Sequence, residues 1–235
     1  MKDKISRYNE EISALFEEWR HASGTVDGIF IDHSESVFIE DGVVCPEEWF
    51  SQSVRPLFLL KEAYGGESDW NLTRDFLGTC KRPMSKMWRR VSLFAKGLLG
   101  TSKHAILPFD ESDTGGTYAE CGYLKKIAVV NIKKSNGAKS SDMEMINAYA
   151  RLDCARLKKQ LELCDPTVIV CGYTAYMLDS ISGYSVRAQH DQNGVYSISL
   201  NGRNVPVLDY WHPANRYPDV MNYYGLMGIY QLALE

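Results

Sequence analysis

The sequence predicts an α/β protein, a three-layer α/β/α sandwich around a central, mostly parallel sheet of four strands. Four short apolar runs have the uninterrupted hydrophobicity of strands buried on both faces, and helical patterns lie between them, as in parallel sheets covered by helices. The chain has 235 residues, 45% of them hydrophobic, which suits one domain with a substantial core. The four runs are residues 57–60, 127–130, 168–171 and 205–208.

Residues 1–54 are predicted to form a helical and hairpin extension of a core that spans 55–235, within a single domain. Apolar residues recur at helical spacing over residues 5–22, and a Ser-Gly pair then ends the pattern. The other elements predicted in the extension are strands at 29–31 and 37–39, a turn at Asp41-Gly42 and a short helix at 46–50.

Helical patterns separate the buried strands of the core. Strands that alternate with helices favour parallel pairing, because two consecutive parallel strands need a long crossover between them. The predicted helices of the core span residues 84–99, 142–163, 175–181 and 222–234.

Composition and charge exclude several classes of protein. A formal net charge of −4 argues against a protein that coats nucleic acid by bulk attraction. The six cysteines are scattered without Cys-x-x-Cys pairs, so we expect reduced thiols and no metal site. No apolar run approaches the roughly 18 residues of a membrane span, and no glycine-rich or Walker motif predicts a nucleotide cofactor. We therefore expect a cytoplasmic monomer without a cofactor and without membrane contact.

Polar residues follow three of the buried runs. In open α/β sheets, ligands bind outside the carboxyl ends of the strands. Glu62, Asn131 and His212 each come shortly after a run, so we expect them to meet at one rim of the sheet. A carboxylate, a carboxamide and an imidazole suit the reading of a planar heterocycle and the activation of water.

With these rim residues the sequence resembles the uracil-DNA glycosylase superfamily over about residues 55–220. The iron-sulfur branch of that superfamily has a strand ending in Gly-Glu-Ala-Pro-Gly, which resembles Lys-Glu-Ala-Tyr-Gly at 61–65, and a strand ending in Asn that resembles 129–135. A Cys-containing helix followed by a strand ending in Gly resembles 154–172, and a closing His-Pro-Ser-Pro motif resembles His-Pro-Ala-Asn at 212–215.

The sequence also departs from that branch. Lys61, Tyr64 and Ala214 stand where the family has Gly, Pro and Ser. Of the cysteines that bind the branch's cluster, only Cys154 has a counterpart, and Ser135 takes the place of another. An iron-sulfur cluster is therefore not expected.

The resemblance implies a role for each rim residue. Glu62 would position and deprotonate the attacking water, Asn131 would pair with the edge of the base, and His212 would stabilise the departing base at its carbonyl oxygen. Each residue also has an ordinary structural interpretation. Glu62 could cap a turn or pair with Lys61, Asn131 could end a strand, and His212 could precede Pro213 in a turn.

Further site residues follow from their positions relative to the family motifs. Trp70 and Phe76 are expected to stack on the extracted base, and Tyr64 to contact it at the lip of the pocket. Arg216 and Tyr217 are expected to act as the wedge, with Asn215 beside them contacting DNA, and Lys133, Lys134 and Lys139 to bind phosphates. The ordinary alternatives are core aromatic residues, a surface turn and a solvated loop.

These residues predict a monofunctional DNA glycosylase of base excision repair, which hydrolyses the N-glycosidic bond of uracil or another deaminated or modified base in single- or double-stranded DNA. Two alternatives stay open. The same pocket could recognise a modified base or nucleotide without cleaving it. Cys171, Asp209 and His212 could instead form a hydrolase, although the expected nucleophile elbow is absent.

Overall fold

The computed structural model describes residues 2–112, 116–138, 140–181, 183–189 and 193–235. Its α-helices are α1 (Lys2–Arg20), α2 (Pro46–Ser51), α3 (Lys86–Gly100), α4 (Gly122–Lys125), α5 (Met143–Leu152), α6 (Cys154–Cys164) and α7 (Asp219–Leu232). Its strands are β1 (Ser23–Val26), β2 (Ile29–Asp32), β3 (Ile39–Glu40), β4 (Gly42–Val43), β5 (Pro56–Glu62), β6 (Trp70–Asn71), β7 (Ala128–Lys133), β8 (Val168–Gly172), β9 (Val195–Leu200) and β10 (Arg203–Tyr210). Shorter helical turns span His33–Glu35, Leu72–Leu77 and Ala175–Ser180.

The central sheet has six strands in the order β4-β7-β5-β8-β10-β9. The four predicted apolar runs form β5, β7, β8 and β10, which pair in parallel, so the mostly parallel α/β class is confirmed. The prediction of a four-stranded sheet is wrong, because β4 and β9 add an antiparallel strand at each edge. The sequence did not predict β9 because its residues alternate between exposed and buried, as in an edge strand, and so form no continuous apolar run.

Helices cover both faces of this sheet. Along β5, Leu57 and Leu59 pack with α1, α5 and α6 in one buried cluster. Phe58 and Leu60 pack with α3, α4 and α7 in a second cluster on the other face. The alternation arises because successive side chains of a strand point to opposite faces, and it produces the three layers that the sequence predicts.

The first 54 residues are integrated into this core more closely than the term extension implies. Trp19 of α1 is fully buried, and β4 belongs to the central sheet. The hairpin is formed by β1 and β2 around Asp27 and Gly28, whose φ angles of +51° and +82° suit a tight turn. The predicted turn at Asp41-Gly42 is wrong, since Asp41 is buried and Gly42 begins β4.

Two of the predicted helices differ from the structure. The single helix expected at 142–163 is divided into α5 and α6 at Asp153, whose carboxylate bonds to His33 in the interior. The helix expected at 175–181 is a 3₁₀ helix, Ala175–Ser180. Within the described ranges, no helix combines the length and apolarity needed to cross a bilayer.

Candidate functional site

The carboxyl ends of β5, β8 and β10 meet at one rim. Glu62 ends β5, Gly172 ends β8, and His212 comes two residues after the end of β10. A Cβ atom on Gly172 would lie 2.9 Å from Cδ2 of Leu60 and 3.3 Å from Cδ2 of His212. The missing side chain thus lets the imidazole lie across the end of β8, close to the strand that carries Glu62.

The carboxylate of Glu62 is held in a covered position, with its side chain only 4% exposed. Its Oε2 atom accepts a hydrogen bond from Nζ of Lys133 at 3.0 Å. Its Oε1 atom is buried and has no hydrogen-bond partner among the described residues. Gly137 closes over this group, since a Cβ atom there would lie 2.4 Å from Cδ of Glu62. Oε2 is therefore paired with Lys133, whereas Oε1 has no partner.

His212 is a neutral ring at physiological pH. Burial, and then the positive charge of Lys61, lower the pKa of its imidazole from 6.5 to about 4. The backbone N–H of Ala214 lies 3.2 Å from Nδ1, which fits Nδ1 as the acceptor and assigns the proton to Nε2. The ring can therefore donate a hydrogen bond from Nε2 without being charged.

Acidification from about pH 7 to about pH 4.5 is expected to destabilise the protein through His212. Between its folded pKa of about 4 and its ordinary value of 6.5, the unfolded chain binds the extra proton, so stability falls as the pH falls. The contribution is on the order of 2 to 3 kcal/mol and is lost in His212→Gln. Urea unfolding of both proteins at the two pH values measures it, and an equal pH dependence in both would contradict the assignment.

Asn131 and Lys134 do not reach the rim. The backbone N–H and side-chain Nδ2 of Asn131 both donate to Oδ2 of Asp41, at 2.8 and 3.0 Å. Nζ of Lys134 donates to Oδ1 of Asp41 at 2.6 Å and is fully buried. The expectation that Lys134 binds phosphate is therefore wrong. In this arrangement the side-chain nitrogen of Asn131 bonds to Asp41 and is not free to pair with a base. Lys139 lies outside the described residues.

Of the three aromatic residues predicted to bind the base, Trp70 and Phe76 form one aromatic group beside the loop that follows β5. Nε1 of Trp70 donates to the carbonyl oxygen of Gly65 at 3.0 Å. The Trp70 and Phe76 rings meet edge to face with centroids 6.3 Å apart, and Phe76 lies 4.5 Å from the ring of Tyr118. Trp70 and Phe76 are half-buried, whereas Tyr64 is 62% exposed.

A buried arginine holds the loop after His212. Arg90 of α3 donates to the carbonyl oxygens of Asn215 and Tyr217, each at 2.9 Å. The side-chain nitrogen of Asn215 donates to the carbonyl oxygen of His212 in the loop and to Oδ1 of Asn222 in α7. This nitrogen is therefore already engaged and is not free for the predicted contact with DNA. Arg216 and Tyr217 are exposed. The sequence signal for Arg90 is a cation whose neighbours at helical spacing, Met87 and Phe94, are apolar.

A Ser-His-Asp arrangement that the motifs did not indicate lies behind the rim. His33 bonds to Oδ2 of Asp153 at 3.0 Å and to Oγ of Ser135 at 3.2 Å. The three residues are between 0 and 2% exposed, so no substrate reaches the serine in this arrangement. The network supports the segment that leads to Gly137 and Glu62.

The thiol of Cys171 is poorly suited to act as a nucleophile in this structure. Cys171 is fully buried, and burial followed by the charge of Asp209 raises the pKa of its thiol far above 9.0. A protonated buried thiol is a poor nucleophile, which argues against the cysteine hydrolase. All six cysteines are free. In the part of the chain that the structure describes, no group of three or more His, Cys, Asp or Glu residues could hold a metal ion.

Comparisons with known proteins do not assign a family. No protein-family model matches the chain, and no curated protein matches it either. The function of the protein must therefore be inferred from the geometry of the rim.

Proposed function

We propose that this protein is a DNA glycosylase that hydrolyses the N-glycosidic bond of uracil or another deaminated base in DNA. The observation that carries the proposal is the buried, unpaired Oε1 atom of Glu62 at the rim where the neutral ring of His212 lies. A buried oxygen without a partner is costly, and a bound water molecule would satisfy this one.

The two side chains suit the two ends of the bond that breaks. Oε1 of Glu62 accepts a proton from the water whose oxygen forms the new bond to C1′ of the sugar. The C1′–N bond breaks, and its electron pair leaves with the base. Nε2–H of His212 donates a hydrogen bond to the carbonyl oxygen on which that negative charge develops.

The ion pair with Lys133 fits this role for Glu62. Nζ of Lys133 donates a hydrogen bond to Oε2, and it also donates to the carbonyl oxygen of Asn136 at 3.0 Å. The carboxylate is thereby fixed in one rotamer, with Oε1 as its remaining acceptor. A fixed acceptor needs little reorganisation when positive charge develops on the sugar.

The second candidate function is recognition of a modified base without cleavage. The observation that favours it is the cover that Gly137 provides, which leaves the Glu62 side chain 4% exposed. On this interpretation, the carboxylate stabilises the rim through Lys133 and does not act on a water molecule.

Base release from labelled oligonucleotides distinguishes the two functions. Strands that carry uracil, hypoxanthine or xanthine are incubated with the protein and then treated with alkali, which cleaves the strand at abasic positions. The glycosylase proposal expects cleavage at one or more of these bases and none in the unmodified strand. Tight binding of a modified strand without cleavage of any would establish the recognition function instead.

A further inference from the structure

A group of exposed cations stands out in this acidic chain. Between Asp75 and Asp110 the sequence carries seven Lys or Arg residues and no Asp or Glu, although the formal net charge is −4. Arg90 and Lys96 of this segment pair with acidic side chains. The other five are exposed and take part in none of the ion pairs found among the described residues. Lys103 lies beyond the end of α3, and the remaining four lie before and within its first turns; these are Lys81, Arg82, Lys86 and Arg89, called here the α3 basic patch.

The α3 basic patch lies next to the candidate site. Lys86 and Arg90 are four residues apart on α3 and therefore share one face of the helix. Arg90 donates to the carbonyl oxygens of Asn215 and Tyr217, in the loop that follows His212. The first turns of α3 thus adjoin the rim at which the reaction is proposed.

Exposed aromatic rings continue the same surface. Tyr64, Tyr173, Trp211 and Tyr217 follow the carboxyl ends of β5, β8 and β10, and each is between 40 and 62% exposed. The Trp211 and Tyr217 rings lie 4.1 Å apart. Tyr173 has a φ of +63° and donates its N–H to the carbonyl oxygen of Tyr210. Left-handed backbone is unusual for a bulky residue and is often found where function requires it.

We propose that the α3 basic patch and this aromatic rim form a binding surface for single-stranded DNA. The inference rests on the proposed function and names the strand form of its substrate. Cations track the phosphate backbone, and unpaired bases present faces on which aromatic rings stack. Bases in a duplex are already stacked on one another. Lys133 and Lys134 do not contribute, since their side chains are only 13% and 0% exposed and pair with Glu62 and Asp41.

Binding of an undamaged, labelled single strand tests this surface without any base release. The logarithm of the affinity falls with the logarithm of the salt concentration by about 0.7 for each phosphate contact. The double variant Lys86→Glu/Arg89→Glu is expected to reduce that slope by about 1.4 and the affinity by about tenfold at low salt. Its matched control is Lys2→Glu/Lys103→Glu, which changes the charge equally at α1 and beyond the far end of α3, and should leave both quantities unchanged.

A second variant tests the aromatic part of the surface. Trp211→Ala is expected to lower single-strand affinity about fivefold or more, with the salt slope retained. Equal losses in the two charge-reversal variants would overturn the proposal, as would tighter binding of the matched duplex or of an RNA strand. If undamaged DNA binds as expected but no modified base is released, only the glycosylase proposal fails.

Discussion

Glu62→Gln is expected to slow base release by about 10²- to 10⁴-fold, which is the usual contribution of a general base. The amide keeps the shape of the side chain but cannot take a proton from water at Oε1. Affinity for an oligonucleotide that carries the released base should change little, because Glu62 is 4% exposed and has little surface to offer to DNA. Single-turnover base release and equilibrium binding, measured on the same oligonucleotide, separate the two effects.

Glu67→Gln is the matched control for this experiment. Glu67 lies five residues after Glu62, in the loop that follows β5, and is exposed, so the substitution removes the same charge from a side chain in solvent. The Glu67→Gln protein should release bases at a rate within about twofold of the wild-type rate, in line with the small effect of exposed charges. A Glu62→Gln protein that folds normally and releases bases at the wild-type rate would remove Glu62 from the mechanism.

The parallel part of the sheet was predictable because its strands are buried on both faces. Strands such as β5 and β8 must be continuously apolar in that position, and few other structures produce so short and uninterrupted a run. The edge strands carry no such requirement. β4 has only two residues and is defined by pairing with β7, a contact between segments about 85 residues apart that local sequence does not encode.

The positions of Glu62 and His212 followed from the strand-end rule, since both come after buried parallel strands. Asn131 follows the apolar run 127–130 in the same way, yet β7 continues past it to Lys133. Its amide nitrogen bonds to Asp41, which directly precedes the edge strand β4 and lies 90 residues earlier in the chain. Lys134 is drawn inward by the same carboxylate. A basic, polar loop can thus be interpreted as a phosphate site when one of its lysines is the partner of a distant buried acid.

Asp41→Ala is expected to destabilise the protein by about 3 to 5 kcal/mol, as is usual when one partner of a buried ion pair is removed. Asp41 accepts from Lys134, Asn131 and Gln160, and the Lys134 and Asp41 side chains are both fully buried. Urea unfolding at neutral pH measures the change. Glu11→Ala removes the carboxylate of an ion pair whose lysine, Lys159, is half exposed and should leave the free energy of unfolding nearly unchanged.

The pH dependence and a double variant identify the cause of that loss. Burial lowers the pKa of Lys134, and Asp41 opposes this shift, so without Asp41 the ammonium gives up its proton more readily in the folded state. The unfolded chain then holds more protons, and the destabilisation of Asp41→Ala should shrink as the pH rises from about 7 to about 9. Adding Lys134→Met should recover most of the lost stability, because no buried charge is left unpaired. If the double variant is no more stable than Asp41→Ala, the loss arises from the other hydrogen bonds to Asp41 and not from the stranded ammonium.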